Sequence, residues 1–188
     1  MAIIKSLGFQ KASIFGTSGG GIIAFQLGAS YPEYVEHLIA HEAPTTALLP
    51  DNTARLDFCF EVYEKFKADG PMAAFQHFGS QMVGMQNPNS RSTGAMVNGD
   101  FFFEYEFIVL TIYTPNMAKL RDNGVSVAVT AGEESGDAYY VRTTSYQAEI
   151  LGCRRIMWPG HHVVYRSDPA AFVAALHETL LKLEDSRK

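Results

Sequence analysis

The chain has 188 residues, 47% of them apolar, 12% aromatic and 19% charged, enough apolar material for one globular domain with a real core. A net charge of −5 and a pI near 5.6 exclude a nucleic-acid or anionic-membrane partner that binds through electrostatic attraction. No run approaches the roughly 18 apolar residues of a membrane span, and two cysteines, Cys59 and Cys153, are too few for a disulfide scaffold or a thiolate zinc site, so a soluble, reduced, cytoplasmic protein is expected.

Met1 to Gln10 is broken by Lys5 and Ser6 and lacks the apolar centre of a secretion signal. Ile3–Leu7 reads as the end of a helix stopped by Gly8. Lys11–Phe15 reads as a strand and Gly19–Ser30 as an apolar helix rich in small residues. Val35–His41 is a second strand, ending at Glu42-Ala43-Pro44. Leu56, Phe60, Tyr63 and Phe66 recur at helical spacing, which predicts a helix over Thr53–Ala68. Gly70-Pro71 breaks it, and Met72–Val83 is predicted as another helix.

Gly84–Gly99 is loop-like, with turn signals at Asn87-Pro88-Asn89-Ser90 and Asn98-Gly99. Asp100–Tyr113 is very aromatic, with Asp100 placed to cap a helix. Val125–Val129 reads as a β-branched strand, 138–151 as a helix, Cys153–Trp158 as a strand, and Pro169–Leu183 as a last helix with proline in its first turn. The order strand, helix, strand, helical insertion, strand, helix, strand, helix implies an α/β fold. Its mostly parallel sheet of about four strands is flanked by helices. Residues 1–44 and 116–188 form the core of this reading, and 45–115 a helical insertion. The insertion holds Phe58, Phe60, Phe66, Phe75, Phe78, Met82, Met85, Phe101, Phe102, Phe103 and Tyr105, most of them expected as ordinary core; the same set also fits a lid whose apolar underside lines a pocket.

Gly16-Thr17-Ser18-Gly19-Gly20 matches G-x-S-x-G between a strand and a helix. A serine on so tight a turn has strained backbone angles. Small neighbours at Gly16 and Gly20 are expected to let strand and helix approach, while the Gly19 N–H faces the attacked oxygen. No Gly-x-Lys-Ser/Thr follows, so a phosphate loop is excluded. A serine nucleophile needs a base, and His161 and His162 follow the last strand. His37, His41, His77 and His177 are scattered without metal-ligand spacing and read as surface or structural. Neither a metal nor a cofactor is expected.

Over nearly all its length the chain resembles the α/β-hydrolase superfamily. Lys11–Phe15 with the Ser18 motif is similar to the nucleophile strand and elbow. Ala29–Val35 resembles the stretch after the elbow helix, Val127–Glu133 the penultimate strand, and Pro159-Gly160-His161-His162 with Asp168–Phe172 the histidine loop and last helix. The resemblance implies Ser18 as nucleophile and Gly19 as oxyanion donor. The family's Gly-His pattern favours His161. Its usual spacing of seven residues before the helix-opening proline favours His162, counted from Pro169, and His162 is preferred.

The family's usual acid lies three residues past a glycine. From Gly132 that position is Ser135, which cannot serve, leaving Glu134 and Asp137 nearby. Some members, haloalkane dehalogenases among them, carry the acid at the end of the preceding strand, which here is Glu42. Glu42 is preferred, with Asp137 and Glu134 as alternatives. The resemblance further implies that strands ahead of the elbow, which supply a second oxyanion N–H, are missing from this chain. Lys11–Phe15 would then lie at a sheet edge open to pairing with a second copy, and the chain alone would be a weak or inactive esterase. Two functions follow: a serine esterase acting on a small, fairly lipophilic ester-like or carbonyl substrate, or a non-catalytic small-ligand-binding protein on the same fold. A dehalogenase would need a carboxylate in place of Ser18.

Overall fold

The computed structural model describes residues 1–84 and 98–186. The predicted turn at Asn87–Ser90 and Met85 lie outside them. In chain order, α1 (Ala2–Ser6) precedes β1 (Ala12–Thr17), and α2 (Gly19–Ser30) crosses to β2 (Val35–His41). Then come α3 (Asn52–Asp69), α4 (Pro71–Gly79) and α5 (Gly99–Phe101), which continues through a π-helical turn at Phe102–Glu106 into α6 (Phe107–Ile112). α7 (Met117–Asp122) leads to β3 (Ser126–Gly132), α8 (Tyr139–Leu151) to β4 (Arg155–Trp158), and α9 (Val164–Ser167) to α10 (Pro169–Asp185). No helix among the described residues is long and apolar enough to cross a membrane.

The four strands form one parallel sheet in the order β1-β2-β3-β4. Side chains alternate between its faces. Leu38 and Ala40 of β2 pack with Ile22 and Phe25 of α2, Leu120 of α7 and Leu151 of α8. Ile39, between them, turns to the opposite face with Trp158 of β4 and Leu183 of α10. A sheet buried on both faces explains why β2 is almost continuously apolar. Its register sets Thr17 beside His41 and His41 beside Thr130, so the C-terminal ends of β1, β2 and β3 lie level. β1 occupies one edge of the sheet.

The predicted and observed elements differ at particular points. α4 ends at Gly79 rather than Val83, and β4 begins at Arg155 rather than Cys153. α7 and α9 were not anticipated; at six and four residues they are too short for a periodic apolar pattern. Asp100 does not cap a helix: Asn98 holds the cap position, Gly99 opens the helix, and Asp100 lies in its first turn. Most aromatics of the insertion pack on one another, as in the Phe75–Phe103 pair at 4.9 Å and the Phe103–Phe107 pair at 5.3 Å between ring centroids.

The elbow depends on Gly16. A Cβ there would lie 2.3 Å from the Gly20 carbonyl oxygen and 2.8 Å from the Gly21 Cα. Gly21 is similarly tight, since its Cβ would meet that of Ala43 at 2.7 Å. Gly20 is different: a Cβ there meets nothing within 4 Å. The close approach therefore rests on Gly16 and Gly21, contrary to the expectation for Gly20. We predict that Gly16→Ala lowers stability by at least about 3 kcal/mol, whereas Gly20→Ala, inside a helix, raises it by about 0.5–1 kcal/mol. Urea unfolding midpoints of the two variants check this.

Candidate active site

Ser18 stands where β1 turns into α2, with φ 53°. Its N–H donates to the His41 carbonyl at 2.9 Å, and its own carbonyl accepts from Gly21 N–H at 2.9 Å, so the turn is pinned on both sides. Glu42 follows β2 directly, with φ 48°. Among the described residues, Ser18 and Glu42 are the non-glycine residues with left-handed backbone. Such a conformation costs on the order of 1–3 kcal/mol and survives only where its surroundings enforce it. For Glu42 the enforcement comes from α8. The Ala43 carbonyl accepts from the Thr143 hydroxyl at 2.8 Å and the Gln147 amide at 2.6 Å, both buried.

The Glu42 side chain is 0% exposed. One oxygen accepts from the Gly132 N–H at 2.7 Å, and the other lies 2.7 Å from His162 Nδ1. A carboxylate accepts only, so His162 Nδ1 carries the hydrogen, and in the neutral imidazole Nε2 then keeps the lone pair. The imidazole is thereby a base with a defined free nitrogen. Tyr140 packs against its ring at 4.4 Å. Burial pushes the Glu42 carboxyl upward. The hydrogen bond from His162, the charges of His41 and His162, and the Gly132 N–H together outweigh it and hold the group below the ordinary carboxylate range.

Ser18 and Gly19 line a cavity of about 100 Å³ whose other walls include Pro44, Phe78, Leu110 and Tyr139. Cys59 also lines it, and burial pushes its thiol up, toward its neutral, less reactive form. Among the described residues no group of His, Cys, Asp and Glu could hold a metal ion.

The structure thus brings Ser18, Gly19, Glu42 and His162 to the C-terminal edge of the sheet, where open α/β sheets place their ligands. The alternatives follow the ends of the same strands but lie outside the Glu42–His162 hydrogen bond. Glu134 and Asp137 are exposed. The His161 ring lies against the backbone of Gly84, where a Cβ would come within 2.3 Å of it, and its Nδ1 accepts from Val163 N–H at 3.3 Å. Ser135 is buried behind Gly132.

Of the two readings open for His41, surface or structural, the structure supports the second. Its ring is buried, stacked on Trp158 at 5.2 Å, and its Nε2 lies 3.8 Å from the Glu42 carboxylate. Strand alternation held the signal. His41 is two residues from Ile39 and therefore on the same inner face.

No protein-family model matches the chain. It is 25% identical over 177 residues to the uncharacterized hydrolase YraK of Bacillus subtilis (strain 168), an alignment covering 92% of this chain and 65% of that protein. The chain therefore spans just under two thirds of that relative's length. Among solved structures it is similar to a carboxylesterase of the thaumarchaeon Nitrososphaera gargenis, with a TM-score of 0.68 and 21% identity, covering 98% of this chain and 70% of that one. It is also similar to MGS-M2, an α/β hydrolase from a Medee basin deep-sea metagenome, with a TM-score of 0.63 and 17% identity, covering 92% and 66%. The fold is that of the α/β-hydrolases.

Burial lowers the His41 pKa from 6.5 to about 4, against the pull of Glu42. In the folded protein His41 is neutral through this window, whereas the unfolded chain takes up a proton below 6.5. Stability contributed by its neutral burial is present above pH 6.5 and is lost as pH falls toward 4, by about 3 kcal/mol in full. Glu42, with its lowered pKa, adds a loss of the same sign once pH falls below the ordinary carboxylate range. We expect His41→Phe to flatten the decline in urea-unfolding free energy between pH 7 and pH 4.5. An unchanged slope would place the acid sensitivity elsewhere.

Proposed function

We propose that this chain is a serine hydrolase cleaving small, fairly lipophilic esters through Ser18, His162 and Glu42. The observation that carries the reading is the buried hydrogen bond between His162 Nδ1 and Glu42 at 2.7 Å. It belongs to the same sheet edge as a serine held on a strained strand-to-helix turn. The carboxylesterase name of one structural neighbour and the hydrolase name of the Bacillus relative agree with it.

In this mechanism the Ser18 hydroxyl attacks the ester carbonyl and passes its proton to His162 Nε2. Glu42 holds the imidazole in the required tautomer and stabilises the imidazolium that forms. The tetrahedral oxyanion is met by the Gly19 N–H, which as the first N–H of α2 has no acceptor within the helix. Collapse expels the alcohol, which takes the proton from His162, and leaves an ester on Ser18. Water, deprotonated by His162, then releases the acid and regenerates the serine. The apolar walls contributed by Phe78, Phe102 and Phe107 favour a lipophilic substrate over a charged one.

A fluorophosphonate probe tests this. The expected result is one adduct on Ser18, located by mass spectrometry and absent from Ser18→Ala. Glu42→Gln should slow labelling by roughly 10³–10⁴-fold, because the tautomer is no longer enforced. A folded protein that takes no label would overturn the catalytic reading in favour of a non-catalytic ligand-binding protein.

A further inference from the structure

A second cavity lies beside the first, on the far side of one leucine. It is an open groove of about 450 Å³ between α2 and α6, walled by Ile22, Ile23 and Leu27 on one side and by Val109, Leu110 and Tyr113 on the other. Its volume is in the range of pockets that hold drug-sized ligands, whereas the cavity at Ser18, at about 100 Å³, is well below it. Leu110 lines both spaces. Its Cδ1 lies 3.0 Å from where a Cβ of Gly19, the residue after Ser18, would be. A single half-buried leucine side chain therefore stands between the reacting serine and the groove, and such side chains change rotamer readily.

The groove's chemistry is apolar. Ile23 is 60% and Val109 58% exposed, a contiguous patch of the kind that marks a binding surface. Ile23, Leu27 and Ser30 recur at helical spacing along one stripe of α2, so the floor is continuous from the elbow to the helix end. The polar groups at that end are engaged with each other: the Gln26 amide donates to Ser30 Oγ at 2.7 Å, and the Tyr113 hydroxyl donates to Gln26 Oε1.

We infer that this groove is a tail-binding subsite, which takes the aliphatic acyl chain of a substrate whose carbonyl sits at Ser18, with Leu110 as the residue that sets chain length. As a statement about substrate the inference rests on the esterase reading above; as a statement about binding it does not. Short acyl groups fit the inner cavity alone. Longer ones pass Leu110 and lie along α2, where each buried methylene adds about fourfold in affinity.

The test uses two neutral ketones that cannot be hydrolysed, 2-butanone and 2-decanone, titrated by calorimetry into the 188-residue chain and into Ile23→Glu and Val109→Glu. Both changes are at exposed positions outside the inner cavity and should leave the fold intact. The expected result is at least tenfold tighter binding of 2-decanone than of 2-butanone, lost in both variants while 2-butanone binding stays unchanged. Equal affinities, or a preference that survives both charges, would overturn the subsite. In parallel, p-nitrophenyl octanoate should exceed the acetate in kcat/KM at least tenfold in the unmodified chain, and the variants should erase that ratio without lowering acetate turnover. Fluorophosphonate labelling of Ser18 with no chain-length preference overturns the groove and leaves the esterase reading standing. Decanone preference without labelling supports the groove and overturns the esterase reading.

Discussion

The hydrogen-bonded contact between Glu42 and His162 is the constraint around which this molecule is organised. Glu42 leaves the end of β2, accepts from a backbone N–H at the end of β3, and receives the imidazole that follows β4. One carboxylate thus ties together the ends of three strands. A carboxylate removed from water and left unpartnered would shed its charge. Here both oxygens are engaged, and the group is held below the ordinary carboxylate range despite its burial. The left-handed backbone at Glu42 is the strain that aims the side chain across the sheet end. The bonds from Thr143 and Gln147 to the Ala43 carbonyl are what α8 contributes toward holding it. The same helix packs Tyr140 against the His162 ring and is in this way part of the site's support.

The second constraint is spatial. The elbow works because the backbones of β1 and α2 pass closer than a side chain allows at Gly16, and because α2 meets the strand exit at Gly21 and Ala43. These contacts lie on the same edge as Glu42. Backbone closeness on one side and hydrogen-bond satisfaction on the other place serine, imidazole and carboxylate at the C-terminal ends of parallel strands.

The segment between β2 and β3 divides its aromatic residues between two tasks. Most rings pack on one another and give α3, α4 and α6 a core of their own. Phe78, Phe102 and Phe107 also reach the cavity at Ser18, and Leu110 marks its boundary with the outer groove. Composition alone could not separate these tasks, because a phenylalanine at helical spacing looks the same whether it faces a neighbouring helix or a cavity.

Much of the architecture was legible from local signals. β-branched runs, glycine and proline punctuation and the alternation of elements were sufficient for four parallel strands, and the Gly16–Gly20 pattern marked the turn that carries Ser18. These signals act within a few residues along the chain, where backbone sterics and side-chain period operate. Resemblance to a family narrowed the acid and base to Glu42 and His162 but left Asp137, Glu134 and His161 beside them. The pairing of one carboxylate with one imidazole, the place of His41 beside that carboxylate, and the groove behind Leu110 arise from contacts between distant segments. Glu42 and His162 are 120 residues apart and meet only because β2 and β4 flank β3 in one sheet. Residue type and spacing specified which groups were available, and strand order with packing decided which of them come together, because hydrogen bonding and burial depend on proximity in space rather than along the chain.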